Sequence, residues 1–418
     1  MFRFFEKLTN AFPDDQPEQP PKGLLAFCRY YTRGMELPLI IMSITTTLIA
    51  VLEVSLFGFV GTLVDKMKDT TPDQFISENS TMLLWMGGLL VIGLPLLALL
   101  HSLIVHQSLL GNFPMRIRWL AHKYLLGQSV GFFQNDYAGR VATKVMQTAL
   151  SVRETVMKLL DVLMYITVYF TSALILVAQA DYRLTLVILA WFIIYVAAQM
   201  YFIPRLKKLS AKQADARSTM TGRVVDSYSN ISTVKLFAHT EHEAKYARKS
   251  MDGFLGTVYR QMRMVTLLGF VVQSMNYLLV FAIAGMSIWL WSSSLITLGA
   301  ITVAIPIALR MNGMSQWIMW EVSSLFENLG TATDGMNTLS KPQTVTDESD
   351  AAAIDVDQGA IEFDKITFHY GKGSGVIEDL SLSIKPGEKI GLVGRSGAGK
   401  STLVNLLLRF YDVESGAV

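Results

Sequence analysis

Gly394-Arg395-Ser396-Gly397-Ala398-Gly399-Lys400-Ser401 fits the pattern G-x-x-x-x-G-K-[ST]. Lys389–Val393 before it reads as a mostly apolar strand, and Thr402–Phe410 after it has helical spacing, with Leu403, Leu406, Leu407 and Phe410 apolar. Strand, glycine-rich turn and helix is the context a phosphate-binding loop requires. The chemistry follows from the residue types. Gly394, Gly397 and Gly399 let the backbone curl so that successive N–H groups, including those of Arg395, Ser396 and Ala398, turn toward a phosphate. The start of the helix, through Thr402, adds the positive end of its dipole. Lys400 is expected to reach the β- and γ-phosphates of ATP, and the Ser401 hydroxyl to ligate the accompanying Mg²⁺.

What the loop serves must come from the rest of the chain. Of the 418 residues, 51% are hydrophobic and 17% charged, where soluble domains carry about a quarter charged residues. This is a membrane composition, and no nucleic-acid partner is expected. The single cysteine, Cys28, excludes internal disulfides and cysteine metal sites and reads as a packed thiol. Met1–Phe12 is short and amphipathic and is not followed by the apolar run of a cleavable secretion signal. Pro13–Pro21, with four prolines and three acids, reads as an extended linker. Leu24–Met35 resumes helical spacing, with Arg29 and Arg33 on its polar side, as a helix lying along the inner membrane surface.

Six apolar segments follow: Leu37–Val64, Met82–Leu110, Leu159–Ala180, Leu184–Ile203, Val265–Trp291 and Ile296–Trp320. A spanning helix needs about 20 apolar residues. Lys and Arg concentrate in Gly111–Lys158 and Pro204–Met264, whereas the intervening loops on the other side hold only Lys66, Lys68 and Arg183. The two long loops and both termini are therefore expected in the cytoplasm, the compartment that holds ATP. Both loops are helix-patterned, one broken at Gly131-Phe132-Phe133 and the other near Ser229-Asn230. Membrane helices two to five are expected to run on into the cytoplasm and turn back through short transverse helices near Phe132–Gly139 and Asp226–Phe237. Gly330–Gly359 is polar and acidic, with Asp347, Glu348, Asp350, Asp355 and Asp357, and marks a boundary. Ile361–Tyr370 alternates as a half-buried strand with one slip, Val376–Ile384 is a second strand, and Lys385-Pro386-Gly387-Glu388 carries the residues of a type II turn.

The expected fold is a membrane α-helical bundle of six transmembrane helices with long cytoplasmic extensions, followed by the start of an α/β P-loop nucleotide-binding domain. Its divisions are a cytoplasmic segment and interfacial helix over 1–36, a transmembrane domain over 37–329, a linker over 330–359 and a partial nucleotide-binding domain over 361–418.

Three stretches resemble ABC transporters, specifically exporter-type half-transporters of the multidrug and lipid A exporter kind. Phe132-Phe133-Gln134…Gly139-Arg140 resembles the first coupling segment, Val225…Asn230-Ile231-Ser232-Thr233-Val234-Lys235-Leu236-Phe237 the second, and Ile361…Phe368-His369-Tyr370 through Gly394–Thr402 the start of the nucleotide-binding domain. The resemblance implies that Tyr370 stacks on adenine; a strand-end aromatic on the core is the other reading of that residue. It implies an active dimer, most simply of identical subunits, with ATP sandwiched between the loop of one and the signature motif of the other, and alternating access through the helices. It also implies elements that the sequence does not contain: the Gln loop, the signature motif, the catalytic Glu and the switch His. The chain is thus expected to be a fragment that contacts nucleotide phosphates and assigns no catalytic residue of its own for hydrolysis.

The implied activity of the complete protein is ATP-driven export of lipid-like or amphipathic substrates across a bacterial inner (plasma) membrane. The alternative is a nucleotide-binding membrane protein that gates or regulates without pumping. An importer is disfavoured because membrane and nucleotide parts share one chain, and a peptide processor–exporter because no protease domain precedes the first span. Charges inside spans are functional candidates, and Glu53 and Arg310 stand out. They either pair or face a substrate cavity. His101, His106, Gln107, Gln273, Asn276 and Gln316 read as interhelical hydrogen-bonding groups. Met275, Tyr277, Trp289, Met311, Met314 and Trp317 suit either an adaptable cavity or plain packing and lipid contact.

Overall fold

A computed structural model describes residues 2–135, 138–347, 351, 356, 358–371 and 376–418. Glu348, Asp350, Asp355 and Asp357 of the expected linker, and Asp136-Tyr137 within the first expected transverse helix, lie outside the described residues. Among the described residues, six helices are long and apolar enough to cross a membrane: α1 Glu36–Asp69, α2 Pro72–Leu126, α3 Gly139–Ala180, α4 Tyr182–Ser229, α5 Thr240–Ser292 and α6 Leu298–Leu339. Each of the six expected spans lies in one of them, the sixth starting at Leu298 and not at Ile296. They run from 34 to 55 residues, well beyond the length that crosses a bilayer. This is a multi-pass membrane protein.

The apolar residues of α1 show why a bilayer is needed. One face buries Leu39, Met42, Ala50 and Val54, while Leu37, Ile40, Ile44, Leu48 and Val51 point outward at helical spacing. In water that outer stripe would be an extended apolar patch; in lipid it is solvated.

The helix ends are set by local chemistry. Asp181 alone separates α3 from α4: its backbone is extended, and its carboxylate accepts from the Arg183 amide at 2.7 Å, capping α4. Ser294, at a φ of +57°, reverses the chain between α5 and α6. The break expected near Ser229-Asn230 is present: α4 ends at Ser229, and a short helix, Ile231–Leu236, follows Asn230, so Asp226–Ser229 of the expected transverse helix belong to α4. The expected break at Gly131-Phe132-Phe133 is corrected: those residues lie inside a short helix, Val130–Asn135. The interruption comes earlier, where α2 ends at Leu126 and the Gly127 and Gln128 amides close the last turn onto Tyr124 and Leu125.

The chain divides into two compact units. One holds Leu39–Val105 and Met157–Glu327. Its core is drawn from α1, α3, α4, α5 and α6, with Tyr169, Leu184, Ile188, Leu268, Ile283 and Ile307 among the buried residues. In the same unit α4 and α5 continue together well past their apolar stretches, tied by Gln261 Nε2 donating to Ser210 Oγ at 2.9 Å and Ser227 Oγ donating to Glu243 at 2.9 Å.

The other unit holds Met1–Pro38, His106–Val156 and Asn328–Val418. Pro13–Pro21 carries no regular structure, but it is held in place: Trp119 Nε1 donates to the Pro13 carbonyl at 2.9 Å, and Lys123 Nζ to those of Asp14 and Asp15 at 2.9 Å each. Leu24–Thr32 is helical and buries Cys28, and burial pushes the thiol pKa up to about 11, so the group is an inert packed thiol.

Among the described residues three strands follow, β1 Ile361–Phe368, β2 Ile377–Ile384 and β3 Ser415–Ala417, in antiparallel order β2-β1-β3. The slip expected in β1 is real: the register shifts between Phe363 and Ile366 and again before Phe368. Helix α7, Lys400–Leu407, lays Leu403 and Leu406 on Phe363, Ile366, Phe368 and Ile377. The turn after β2 has Gly387 at a φ of +72° and the Glu388 amide bonded to the Lys385 carbonyl at 3.0 Å, as a Pro-Gly type II turn demands.

A second expectation fails. Lys389–Val393 is not a strand, and Val393 is 97% exposed. An apolar run becomes a strand only by pairing, and no described segment offers it a ladder partner.

Candidate functional site

The phosphate loop takes the shape its glycines allow. Gly397 and Gly399 sit at φ of +86° and +83°, where a side chain is strained. A Cβ on Gly399 would also stand 3.0 Å from the Val376 carbonyl. The left-handed Gly399 is the residue immediately before α7, so the loop feeds directly into the helix start. Residues 394–398 are exposed, as is Ser401, while Thr402 is buried. Lys400 Nζ donates to the Gly394 carbonyl at 2.8 Å and the Arg395 carbonyl at 2.9 Å, which holds the ammonium across the mouth of the loop. Two left-handed glycines, a helix start, one lysine and an adjacent hydroxyl fit a triphosphate with its Mg²⁺.

Tyr370 is 41% exposed at the end of β1. Its hydroxyl donates to Thr402 Oγ1 at 3.2 Å, which joins the strand end to the first turn of α7. Its ring meets those of Phe368 and Tyr411 edge-on, with centroids 4.9 and 5.2 Å apart. Tyr411 in turn donates to Gln134 Oε1 at 2.6 Å, on the short helix Val130–Asn135. Burial raises the pKa of the Tyr411 phenol, which keeps it a protonated donor. The aromatic group beside the loop is therefore linked by one hydrogen bond to the segment read as the first transverse turn.

In the membrane-spanning unit, Glu53 and Arg310 meet. Arg310 Nη2 stands 3.5 Å from Glu53 Oε2, and Tyr165 donates to the same oxygen at 2.6 Å. The Arg310 guanidinium lies over the Tyr169 ring, 5.9 Å from its centre. Both charged side chains keep substantial exposure, 35% for Glu53 and 50% for Arg310, so the pair is not sealed in the bundle.

These geometries accompany clear relationships to known proteins. A family model of the ABC transporter transmembrane region matches residues 39–313, and the ABC transporter model matches residues 377–418. The chain belongs to the ABC transporter family. An ABC transporter ATP-binding protein of Haemophilus influenzae is 46% identical over 419 residues, spanning all of this chain and 68% of that protein. Staphylococcus aureus proteins named for multidrug export, ATP-binding/permease proteins, are 26% identical over 72% of this chain and 52% of their own length. A bacterial Atm1-family ABC exporter solved with ATP bound shares the fold, at a TM-score of 0.70 and 19% identity, over 90% of this chain and 67% of that one. The chain thus spans about half to two thirds of the relatives it matches, and its nucleotide-binding domain is partial. Members of the ABC transporter family couple ATP hydrolysis to transport, and such an ATP-binding domain binds ATP.

The structure also shows which polar groups the apolar background hid. Tyr165, which donates to Glu53 at a shorter distance than Arg310 does, carries no charge to mark it. Asp161 lies within the third expected span, a charge not among the sequence candidates; it accepts from the Thr46 hydroxyl and stands 3.8 Å from His101 Nε2. Lys158 and Glu321, at the edges of their spans, pair at 2.6 Å. Of the polar groups read as interhelical, Gln316 donates to Gln273 at 2.9 Å, Asn276 to Ser315 at 2.6 Å, and His101 meets Thr45 at 3.0 Å. Met311 and Met314 are buried, whereas Tyr277 and Trp289 are more than half exposed on the outside of α5.

Proposed function

We propose that this chain is the membrane part and first nucleotide-binding segment of an ATP-driven exporter subunit. It would move lipid-like or amphipathic substrates across a bacterial inner membrane by alternating access in a dimer, most simply a homodimer, with membrane lipids around it. Segment 1–36 is the cytoplasmic entry, 37–329 the transmembrane domain, 330–359 the linker and 361–418 the nucleotide-binding part. The observation that carries the reading is one chain holding six membrane-length helices and a phosphate loop whose aromatic neighbours reach a transverse helix through the Tyr411–Gln134 bond.

Mg-ATP, when bound, supplies the free energy of its hydrolysis. Lys400, which donates to the Gly394 and Arg395 carbonyls, would offer its charge to phosphate, and exposed N–H groups of the loop would hold the phosphate beside it. The exposed Ser401 hydroxyl would ligate Mg²⁺, and the part-exposed Tyr370 ring would stack on the base. Tyr411 and Gln134 pass a displacement at the nucleotide to the helices, whose inward and outward forms are biased by the difference in nucleotide affinity between them. Arg310, exposed on one side and tied to Glu53 on the other, is the substrate-facing charge for an anionic group.

The test is ATPase activity of the full-length protein in lipid bilayers, screened against lipids, amphipathic drugs and peptides. A lipid or amphipath should stimulate turnover severalfold, and Arg310→Ala should abolish stimulation by anionic compounds while leaving unstimulated turnover in place. Turnover that no compound alters, or unchanged stimulation in Arg310→Ala, would contradict the reading.

A further inference from the structure

We infer that Phe2–Lys7 is a docking surface for anionic phospholipid headgroups of the cytoplasmic leaflet, separate from the helix Leu24–Thr32. A ladder of bonds fixes where this segment lies. Lys123 Nζ donates to the Asp14 and Asp15 carbonyls, Trp119 Nε1 to the Pro13 carbonyl and Arg116 Nη1 to the Asn10 carbonyl, each at 2.9 Å. Asn112 Nδ2 donates to the Glu6 carbonyl and to Thr9 Oγ1 at 2.8 Å each. The Thr9 hydroxyl donates to the Ser108 carbonyl at 3.1 Å, and the Ser108 hydroxyl to the Phe5 carbonyl at 2.6 Å. From Asp15 back to Phe5, the segment therefore tracks α2 from Lys123 to Ser108. The second apolar stretch of the sequence ends at Leu110, within this last part of the ladder. The short helix Phe2–Glu6 is thus held where the bilayer meets water.

Its side chains suit that level. Phe2 and Phe4 are each more than half exposed, and Arg3 and Lys7, one turn apart, are exposed as well. In water the two rings gain nothing. At the boundary between headgroups and acyl chains the rings are solvated by lipid, and the two cations meet phosphate. A soluble anion would pair with the cations and leave the rings wet, so the occupant is the lipid surface itself. Phe12 is the contrast within the same segment. It is as exposed as Phe2, but its ring meets Trp119 edge-on, with centroids 5.7 Å apart. Trp119 lies about 14 Å farther along the helix axis than Leu110, so Phe12 stays in water. The inference needs the membrane-spanning helices and does not rest on the transport reading above.

The experiment uses the full-length protein in lipid nanodiscs without nucleotide, so that it succeeds or fails independently of ATP binding. In separate preparations para-trifluoromethylphenylalanine replaces Phe4 or Phe12, which keeps each ring. The fluorine signal is read against two relaxation agents, a phospholipid with a nitroxide high on its acyl chain and a soluble gadolinium chelate. In phosphatidylcholine mixed with phosphatidylglycerol, the label at position 4 should be relaxed by the nitroxide and shielded from the chelate, and the label at position 12 the reverse. One basic residue at an anionic surface changes occupancy about fivefold, so Arg3→Gln should lower the bound-to-free ratio at position 4 by about that factor. Nanodiscs of phosphatidylcholine alone should lower it at least as much. Arg3 is exposed and its side chain holds no bond of the ladder, so the position 12 signal should not change in the variant. A position 4 label relaxed mainly by the chelate, labels at 4 and 12 that behave alike, or a ratio untouched by both Arg3→Gln and the loss of phosphatidylglycerol would each overturn the proposal.

Discussion

The Asp65 carboxylate, at the end of α1, caps the beginning of α6: one oxygen accepts from the Gly299 amide at 2.7 Å and the other from the Thr297 hydroxyl at 2.7 Å. A carboxylate at a helix start satisfies orphan N–H groups and favours the helix dipole. The cap works because the two helices touch. A Cβ on Gly299 would stand 2.2 Å from the Gly61 carbonyl and 2.4 Å from Asp65. Gly299→Ala should therefore force the helix ends apart and cost about 1–3 kcal/mol, seen as a lowered Tm. Asp65→Asn keeps the shape and should cost about 1 kcal/mol or less. If Gly299→Ala melts like the parent protein, the close approach is not what fixes this corner.

Lys158 and Glu321 pair at 2.6 Å with side chains only 12% and 17% exposed. Removing one member of a nearly buried pair strands the other, which costs about 3–5 kcal/mol, whereas replacing both by apolar residues of similar volume is close to neutral. Lys158→Met should accordingly reduce stability sharply, and addition of Glu321→Leu should restore most of it. Equal losses in the single and double variants would show that the two charges are not coupled.

Much of this architecture is legible in the sequence, and the gaps have physical causes. The six spans stand out because a bilayer demands a long apolar run whatever the neighbours are, as Leu159–Ala180 and Val265–Trp291 illustrate. The phosphate loop is readable because each position is sterically or electrostatically required, as Gly399 at a φ of +83° shows. Lys389–Val393 misled because a strand depends on a partner, and pairing is not a property of the segment itself. The bonds of Tyr165, Asp161 and Asp65 join helices far apart in the chain, and periodicity within one helix carries no information about them. Gly131 reads as a break although the turn closes four residues earlier, since helix ends depend on which carbonyls find amides.

Glu414 links the short strand β3 to the end of β1. Its carboxylate accepts from the His369 side chain at 2.7 Å and from the His369 amide at 3.0 Å, and these bonds hold its pKa below the ordinary 4.5. The native state therefore favours the charged form. The contribution is fully present above pH 4.5 and is lost as the pH falls through the lowered value. Hydrogen exchange of the Thr367 and His369 region should quicken over that acid range, and Glu414→Gln should remove the pH dependence by making exchange fast throughout. An unchanged acid profile in Glu414→Gln would assign the effect to other carboxylates.

The central claim is that the loop ending at Lys400 captures nucleotide for the membrane helices. Its most direct test is equilibrium binding of radiolabelled ATP to the full-length protein in lipid, compared with Lys400→Ala. A charge-assisted contact is worth about 1.5–3 kcal/mol, so the substitution should weaken retention roughly 10- to 100-fold. Failure of the unsubstituted protein to bind ATP, or equal binding by the Lys400→Ala protein, would contradict the account.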